Sequence, residues 1–329
     1  MSCLQTWNRP RHGGARATRG LSLVELMVAI ALGLALLTAL TALFVNTSGA
    51  RRELDRSAEL HEAGRYALGF LRDELSHAGF YGPLVGATGT NDQPCATDSA
   101  VWADSLALHV RGRNQDETGA QFSCIDALRK PGTDAVFMQR ASTCVAGAAG
   151  CDPLTPGLAY LQVSGCGEEY STNPFVAAIA TSGGEASPFT LRTRECVVTQ
   201  PAPVRRMVRR IFFVATDDSL NYVDITPVGV SDPVLVSAGI ENLQFEYAID
   251  TDRDGSPDTY SFSPTSAQWP DVVGLRLWVL SRATEASART EGKTFTMADV
   301  EQAVGADDRF KRHVFTSFVT FTTPQGLRE

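Results

Sequence analysis

Arg19-Gly20-Leu21-Ser22-Leu23-Val24-Glu25 opens a run of 25 apolar or small residues, Leu21–Val45, in which Glu25 is the only charge. The next charged side chain is Arg51. The run has no Pro and a single Gly, Gly33, and it exceeds the ~20 residues that span a bilayer. A carboxylate inside such a helix costs roughly 3 kcal/mol on insertion scales, so Glu25 requires a compensating partner. Arg9, Arg11, Arg16 and Arg19 precede the run, and no acid occurs in the first 20 residues. This asymmetry predicts a cytoplasmic N-terminus and export of everything after Val45.

A cleavable secretory signal explains the run poorly. Such signals carry 7–15 apolar residues and end in a small-residue cleavage site. Here the run is longer, and Asn46-Thr47-Ser48-Gly49-Ala50 is a weak site. A plain anchor accounts for the length but not for Glu25. Gly20-Leu21-Ser22-Leu23-Val24-Glu25 resembles the prepilin cleavage and methylation motif of type IV pilins. The resemblance implies that a prepilin peptidase cuts between Gly20 and Leu21 and methylates the new amine of Leu21. Glu25 then becomes the fifth residue of the mature chain and pairs with the N-terminal ammonium of an adjacent subunit in the filament core. A buried carboxylate is tolerable when so paired.

Removing 20 residues from 329 leaves 309 and takes away four of the 29 basic residues. The formal charge moves from −8 to −12, because all 37 acids remain. An exported chain this acidic is not expected to bind nucleic acid directly. Cys3 leaves with the leader, and six cysteines remain: Cys95, Cys124, Cys144, Cys151, Cys166 and Cys196. An even set in an oxidising compartment points to disulfides, with fifteen pairings open. Cys144 and Cys151 flank the flexible Val-Ala-Gly-Ala-Ala-Gly stretch and form the favoured pair. A zinc site finds no support, since no Cys-x-x-Cys occurs and His61, His77, His109 and His313 lack ligand spacing.

Beyond the apolar run, Leu54, Ala58, His61, Gly64, Leu68, Leu71, Leu75 and Ala78 recur in steps of three and four. That spacing predicts one helical face packed on a globular domain. A helix from Leu21 to about Ala78 would measure roughly 85 Å, with Gly79 and Gly82-Pro83 as its stop. Residues 80–200 read as a loop-rich, Cys-containing β region, with strands predicted at Ser105–Arg111, Asp134–Arg140, Leu158–Ser164 and Phe189–Val198. Residues 201–329 read as a β-sheet region, with strands at Met207–Thr216, Asn221–Ile225, Leu243–Ile249, Val272–Arg282 and His313–Thr323. Thr296–Val304 is the best short helix after residue 80.

Arg65-Tyr66-Ala67-Leu68, Leu71-Arg72-Asp73-Glu74-Leu75 and Ala78-Gly79-Phe80-Tyr81-Gly82 resemble the helix end of PilW-type minor pilins. Gly239–Tyr247 and Arg312–Ser317 resemble later segments of the same family. Two departures stand out: Pro83 where relatives often have Cys, and Phe321-Thr322-Thr323-Pro324 where the final strand usually ends Arg-Asn. The resemblance implies an α+β, pilin-like fold, with a long N-terminal helix packed on a β-rich, disulfide-stapled domain. It divides the chain into a leader (1–20), a helix (21–79, of which 21–45 spans the membrane or lies in the filament core) and the two β regions. The implied role is a minor pilin that primes pilus assembly in a tip complex. Its partners would be other minor pilins, the major pilin, a PilY-type tip adhesin, the prepilin peptidase and, before assembly, the inner membrane. The same N-terminal motif also serves minor pseudopilins of type II secretion. A membrane-tethered periplasmic adhesin or enzyme is the reading from another class.

Asp250, Asp252, Asp254 and Asp258 occupy positions 1, 3, 5 and 9 of a loop with Gly255 at position 6. That spacing suits the oxygen ligands of Ca²⁺, although Ser261 stands where an EF-hand has its bidentate Glu. An acidic β-turn built on Asp254-Gly255 is the equal alternative. No other cofactor is expected. Gly292-Lys293-Thr294 resembles the end of a phosphate-binding loop, but Ser287 replaces the required first Gly. No nucleophile elbow occurs, so no enzymatic activity is expected. Arg205, Arg206, Arg209 and Arg210 form a basic cluster on a strand, whose neighbours 205 and 206 must point to opposite faces.

Overall fold

A computed structural model describes residues 20, 22–115, 117, 119–181 and 187–326. Residues 1–19, with the four leader arginines, and Leu21 lie outside the described residues. Helix α1 runs Leu23–Ser76. The chain divides into two compact units, Met1–Leu54 and Asp55–Glu329.

The first described unit is the apolar half of α1. The second unit begins with the rest of α1, whose residues Leu60, Gly64, Ala67, Leu71 and Leu75 are buried. The buried face therefore keeps the expected period but is set by Leu60 and Ala67. Leu54 and Ala58, placed on it by sequence, are exposed. Helical drift explains the shift: steps of three and four fit two adjacent stripes equally until a partner surface selects one.

Two sheets and a ribbon follow. The first sheet contains β1 (Val110–Arg113), β2 (Ala135–Ala141), β3 (Ala159–Val163), β4 (Phe175–Ile179), β5 (Val204–Val214), β6 (Ser219–Thr226), β7 (Gly229–Val230) and β8 (Val234–Ala238). β5 is its axis. One edge pairs with β2 along Met207–Phe213, while the other pairs with β3 at Val204–Arg206 and with β6 at Arg210–Val214. This sheet thus takes strands from both sides of residue 200. The second sheet has the order β10-β9-β11-β14, formed from β9 (Ile240–Ile249), β10 (Thr259–Ser261), β11 (Val272–Arg282) and β14 (Arg312–Thr320). A separate ribbon joins β12 (Thr294–Met297) to β13 (Val300–Ala303).

The alternation of each strand divides the core in two. Val136, Met138 and Phe212 from the first sheet, with Leu243, Phe245, Leu275 and Leu277 from the second, enclose Ala67, Leu71 and Leu75 of α1. The opposite face of the first sheet presents Phe137, Leu161, Ile211, Phe213 and Val223 to a cover made of Tyr81, Leu84, Trp102, Phe122 and Ile125. The loop-rich stretch after the helix therefore shields a sheet face from water, and Cys95–Cys124 clamps it closed. Cys144–Cys151 and Cys166–Cys196 are the other two disulfides.

Three local expectations are corrected. Thr296–Val304 is not a helix but most of the β12–β13 hairpin. Ala298 takes a left-handed φ of 52° in its two-residue turn. Met297 is fully buried, and Asn242 donates to Gln302 Oε1 at 2.8 Å, so tertiary contacts override a weak helical preference. Phe189–Val198 is not a strand. The Gln162 side chain accepts from Leu191 N at 2.9 Å and donates to Leu191 O at 3.1 Å, replacing a ladder partner. Ser105–Arg111 is a turn followed by the start of β1, because the Leu108 N–H bonds to Ser105 O at 2.9 Å and bends the chain.

Candidate functional site

The apolar half of α1 exposes nearly every large side chain it has, from Leu23 (74%) to Phe44 (73%). It is long and apolar enough to cross a membrane and is a candidate anchor. Its few polar groups turn inward on the helix itself. Thr38 Oγ1 donates to Ala35 O at 2.8 Å, Thr41 to Leu37 O at 2.7 Å and Thr47 to Leu43 O at 2.7 Å. Such back-bonding satisfies these three hydroxyl donors without water, as a hydrocarbon surrounding demands.

Glu25 is the acidic residue of the first turn of α1 and is exposed. The unbonded N–H groups and positive dipole end of a helix favour a carboxylate there. Gly20 is exposed, whereas Leu21, the expected site of cleavage and methylation, lies outside the described residues.

The acidic loop links β9 to β10 at one end of the second sheet. Asp250 is fully buried, and its carboxylate accepts from the backbone N–H groups of Arg253 (2.7 Å), Asp254 (3.2 Å) and Gly255 (3.1 Å). Gly255 at φ 90° and Arg253 at φ 65° provide the reversal. Asp250, Asp252 and Asp254 bring their carboxylate oxygens within 4.8 Å of one another. Asp258 turns aside and accepts from Thr251 N and Thr251 Oγ1, both at 2.7 Å. Desolvation, followed by the like charges of its neighbours, raises the Asp252 pKa, while the Thr251 hydroxyl and N–H hold Asp258 below its ordinary value. Three of the four expected ligands thus converge. They suit a hard cation, but the loop also closes on its own hydrogen bonds.

The basic cluster of β5 is split between the two faces of the sheet. Arg209 is buried between Trp102 and Phe137 and donates to Gln93 O and Ala96 O, both at 3.1 Å. Burial pushes its pKa down to about 9. Arg205 stacks near Phe80 and donates to Ser142 O. On the opposite face, Arg210 binds Asp224 at 2.7 Å and Glu74 at 3.0 Å. Arg140 of β2 joins it through the same Glu74 oxygen at 3.5 Å. The sequence reading missed Glu74 and Arg140, although a charge inside each otherwise apolar period was the available signal. Trp102 and Trp269 are core residues, and Trp278 is half-buried.

Segments 239–247 and 312–317, whose resemblance pointed to one family, lie on β9 and β14 of the second sheet. No curated protein and no solved structure matches the chain. The model of the family described as Type IV Pilus-assembly protein W matches residues 211–322, about a third of the chain, from within β5 through the second sheet. Over that third, which holds the second sheet, the chain is similar to PilW-type proteins of type IV pilus assembly.

Proposed function

We propose that this chain is a minor pilin that primes type IV pilus assembly and belongs to a tip complex presenting an adhesin. The observation that carries the reading is one carboxylate, Glu25, at the start of the otherwise uncharged apolar half of α1, whose large side chains are exposed. In the bilayer the helix anchors the protein, with the N-terminus cytoplasmic and the β-domain periplasmic. In the filament the same surface packs against neighbouring helices. Glu25 then pairs with the methylated amine of Leu21 from an adjacent subunit, and the desolvation cost of each charge is offset by the other. The prepilin peptidase, other minor pilins, the major pilin and a PilY-type adhesin are the partners in this scheme.

The test is Glu25→Ala in the native host. Membrane insertion and leader removal are expected to continue, with N-methyl-Leu21 as the mature terminus by mass spectrometry, while piliation is lost. Normal piliation and twitching in the variant would overturn the reading. Assembly needs no cofactor. Ca²⁺ binding at the 250–258 loop is a separate proposal resting on the convergence of Asp250, Asp252 and Asp254. Calorimetric titration of the full chain in detergent tests it, and no heat at millimolar Ca²⁺ would leave only an acidic turn.

A further inference from the structure

Arg206, Val208 and Arg210 alternate onto one face of β5, beside Arg140, which pairs with Val208 across the β2–β5 ladder. Tyr160 of β3 pairs with Arg206 on the other edge. The loop closed by Cys144–Cys151 rises beside these strands. Together they line a cavity of about 270 Å³.

Pairing in this cavity is uneven. Arg140 and Arg210 share Glu74, and Arg210 also holds Asp224. The side chain of Arg206 takes no hydrogen bond or ion pair among the described residues. It is half-buried, so its guanidinium is partly removed from water without receiving a bonded anion. The exposed Asp152 stands on the rim and makes no side-chain bond of its own among the described residues.

We infer that this cavity receives an acidic side chain, Asp or Glu, from a partner protein, with Arg206 as its principal ligand. A guanidinium fork matches a carboxylate in two parallel hydrogen bonds. Arg140 and Arg210 are balanced by Glu74 and Asp224, so Arg206 is the cavity cation left without a bonded anion, and one carboxylate completes its pairing. A phosphate dianion would place surplus negative charge beside Glu74, Asp224 and Asp152, and is disfavoured for that reason. The Cys144–Cys151 loop gives the cavity a fixed wall, which lowers the ordering cost of binding. The inference rests on the pilus-assembly reading only for which protein supplies the carboxylate.

The test uses the purified full chain in detergent and a fluorescent acetyl-Gly-Glu-Glu-Gly-amide peptide, followed by anisotropy. Saturable binding is expected. Affinity should fall about tenfold or more for Arg206→Gln, the loss of one charge-assisted contact. Arg206→Lys should recover part of it, and the Gln-Gln version of the peptide should not bind. Thermal melts of both variants should match wild type, since Arg206 makes no internal bond. Equal binding of the acidic and amide peptides, or unchanged affinity in Arg206→Gln, would overturn the inference. So would binding of inorganic phosphate without binding of the peptide, which would make the cavity a small-anion site. Peptide binding is measured on isolated protein, so its failure is separate from any failure of the Glu25→Ala piliation test.

Discussion

Phe315 of β14 presses so closely on Gly64 of α1 that a Cβ at position 64 would lie 2.1 Å from ring carbon Cε2. The missing side chain lets the helix seat on the second sheet, where His61 and His313 meet the same ring edge-on at centroid distances of 5.7 and 4.6 Å. Gly64→Ala sets two effects against each other. Ala is favoured over Gly in a helix by about 1 kcal/mol, while overpacking a close contact costs about 1–3 kcal/mol. The clash is with a ring held between helix and strand, so net destabilisation is expected. It should appear as a lowered urea midpoint, and Gly64→Ala with Phe315→Leu should recover part of the loss.

Asp134, just before β2, accepts the Phe245 N–H of the second sheet and the Gln115 N–H, each at 2.9 Å. Burial pushes its pKa from 3.8 up to about 8, with those two N–H groups opposing the shift. The folded state therefore binds the proton more tightly than the unfolded state. Stability from this group is fully present below about pH 4 and is lost as pH rises toward about 8. Comparing thermal melts of wild type and Asp134→Asn across that window isolates the contribution. The wild type should lose stability with rising pH relative to the variant, and parallel curves would contradict the assignment.

Asp250 organises the acidic loop through three backbone N–H groups. Asp250→Ala would leave those donors short of an acceptor and should destabilise the protein by about 2 kcal/mol, read from chemical denaturation. Asp252→Ala removes an exposed carboxylate that accepts one N–H bond, from Asp254 at 3.3 Å. It should change stability by about 0.5 kcal/mol or less. If Ca²⁺ binds, both substitutions should abolish the calorimetric signal.

The three disulfides close loops of different length, with sequence separations of 29, 7 and 30. Loop-closure entropy assigns about 3.6 kcal/mol to each long loop and about 2.4 kcal/mol to the short one. Replacing Cys144 and Cys151 by Ser should therefore lower stability least. Replacing Cys95 and Cys124 should lower it most, because that staple also holds the cover over Phe137, Ile211 and Phe213. Denaturation midpoints of the three double variants under oxidising conditions provide the comparison.

Much of the architecture was legible in the residues. Apolar length and flanking charge marked the helix, and alternation marked β2, β3, β5, β6, β9, β11 and β14, since those strands bury one or both faces in a core. Shorter elements were not legible. β4 and β8 are only partly buried and carry little alternation, and β12–β13 exists because Met297 is buried and Gln302 meets Asn242.

By itself the sequence determined the apolar helix, the isolated charge of Glu25 and the six cysteines that follow it, because each depends only on residue type and local order. It also established that Arg205 and Arg206 face opposite ways, a consequence of the two-residue strand period. The tertiary structure decided which stripe of α1 is buried, which cysteines pair, and that Asp258 turns from its three neighbours toward Thr251. It alone brought Arg140, Arg206 and Arg210 around one cavity. These outcomes depend on contacts between residues tens to hundreds of positions apart, and only the packing of helix against sheet and sheet against cover selects among the local alternatives.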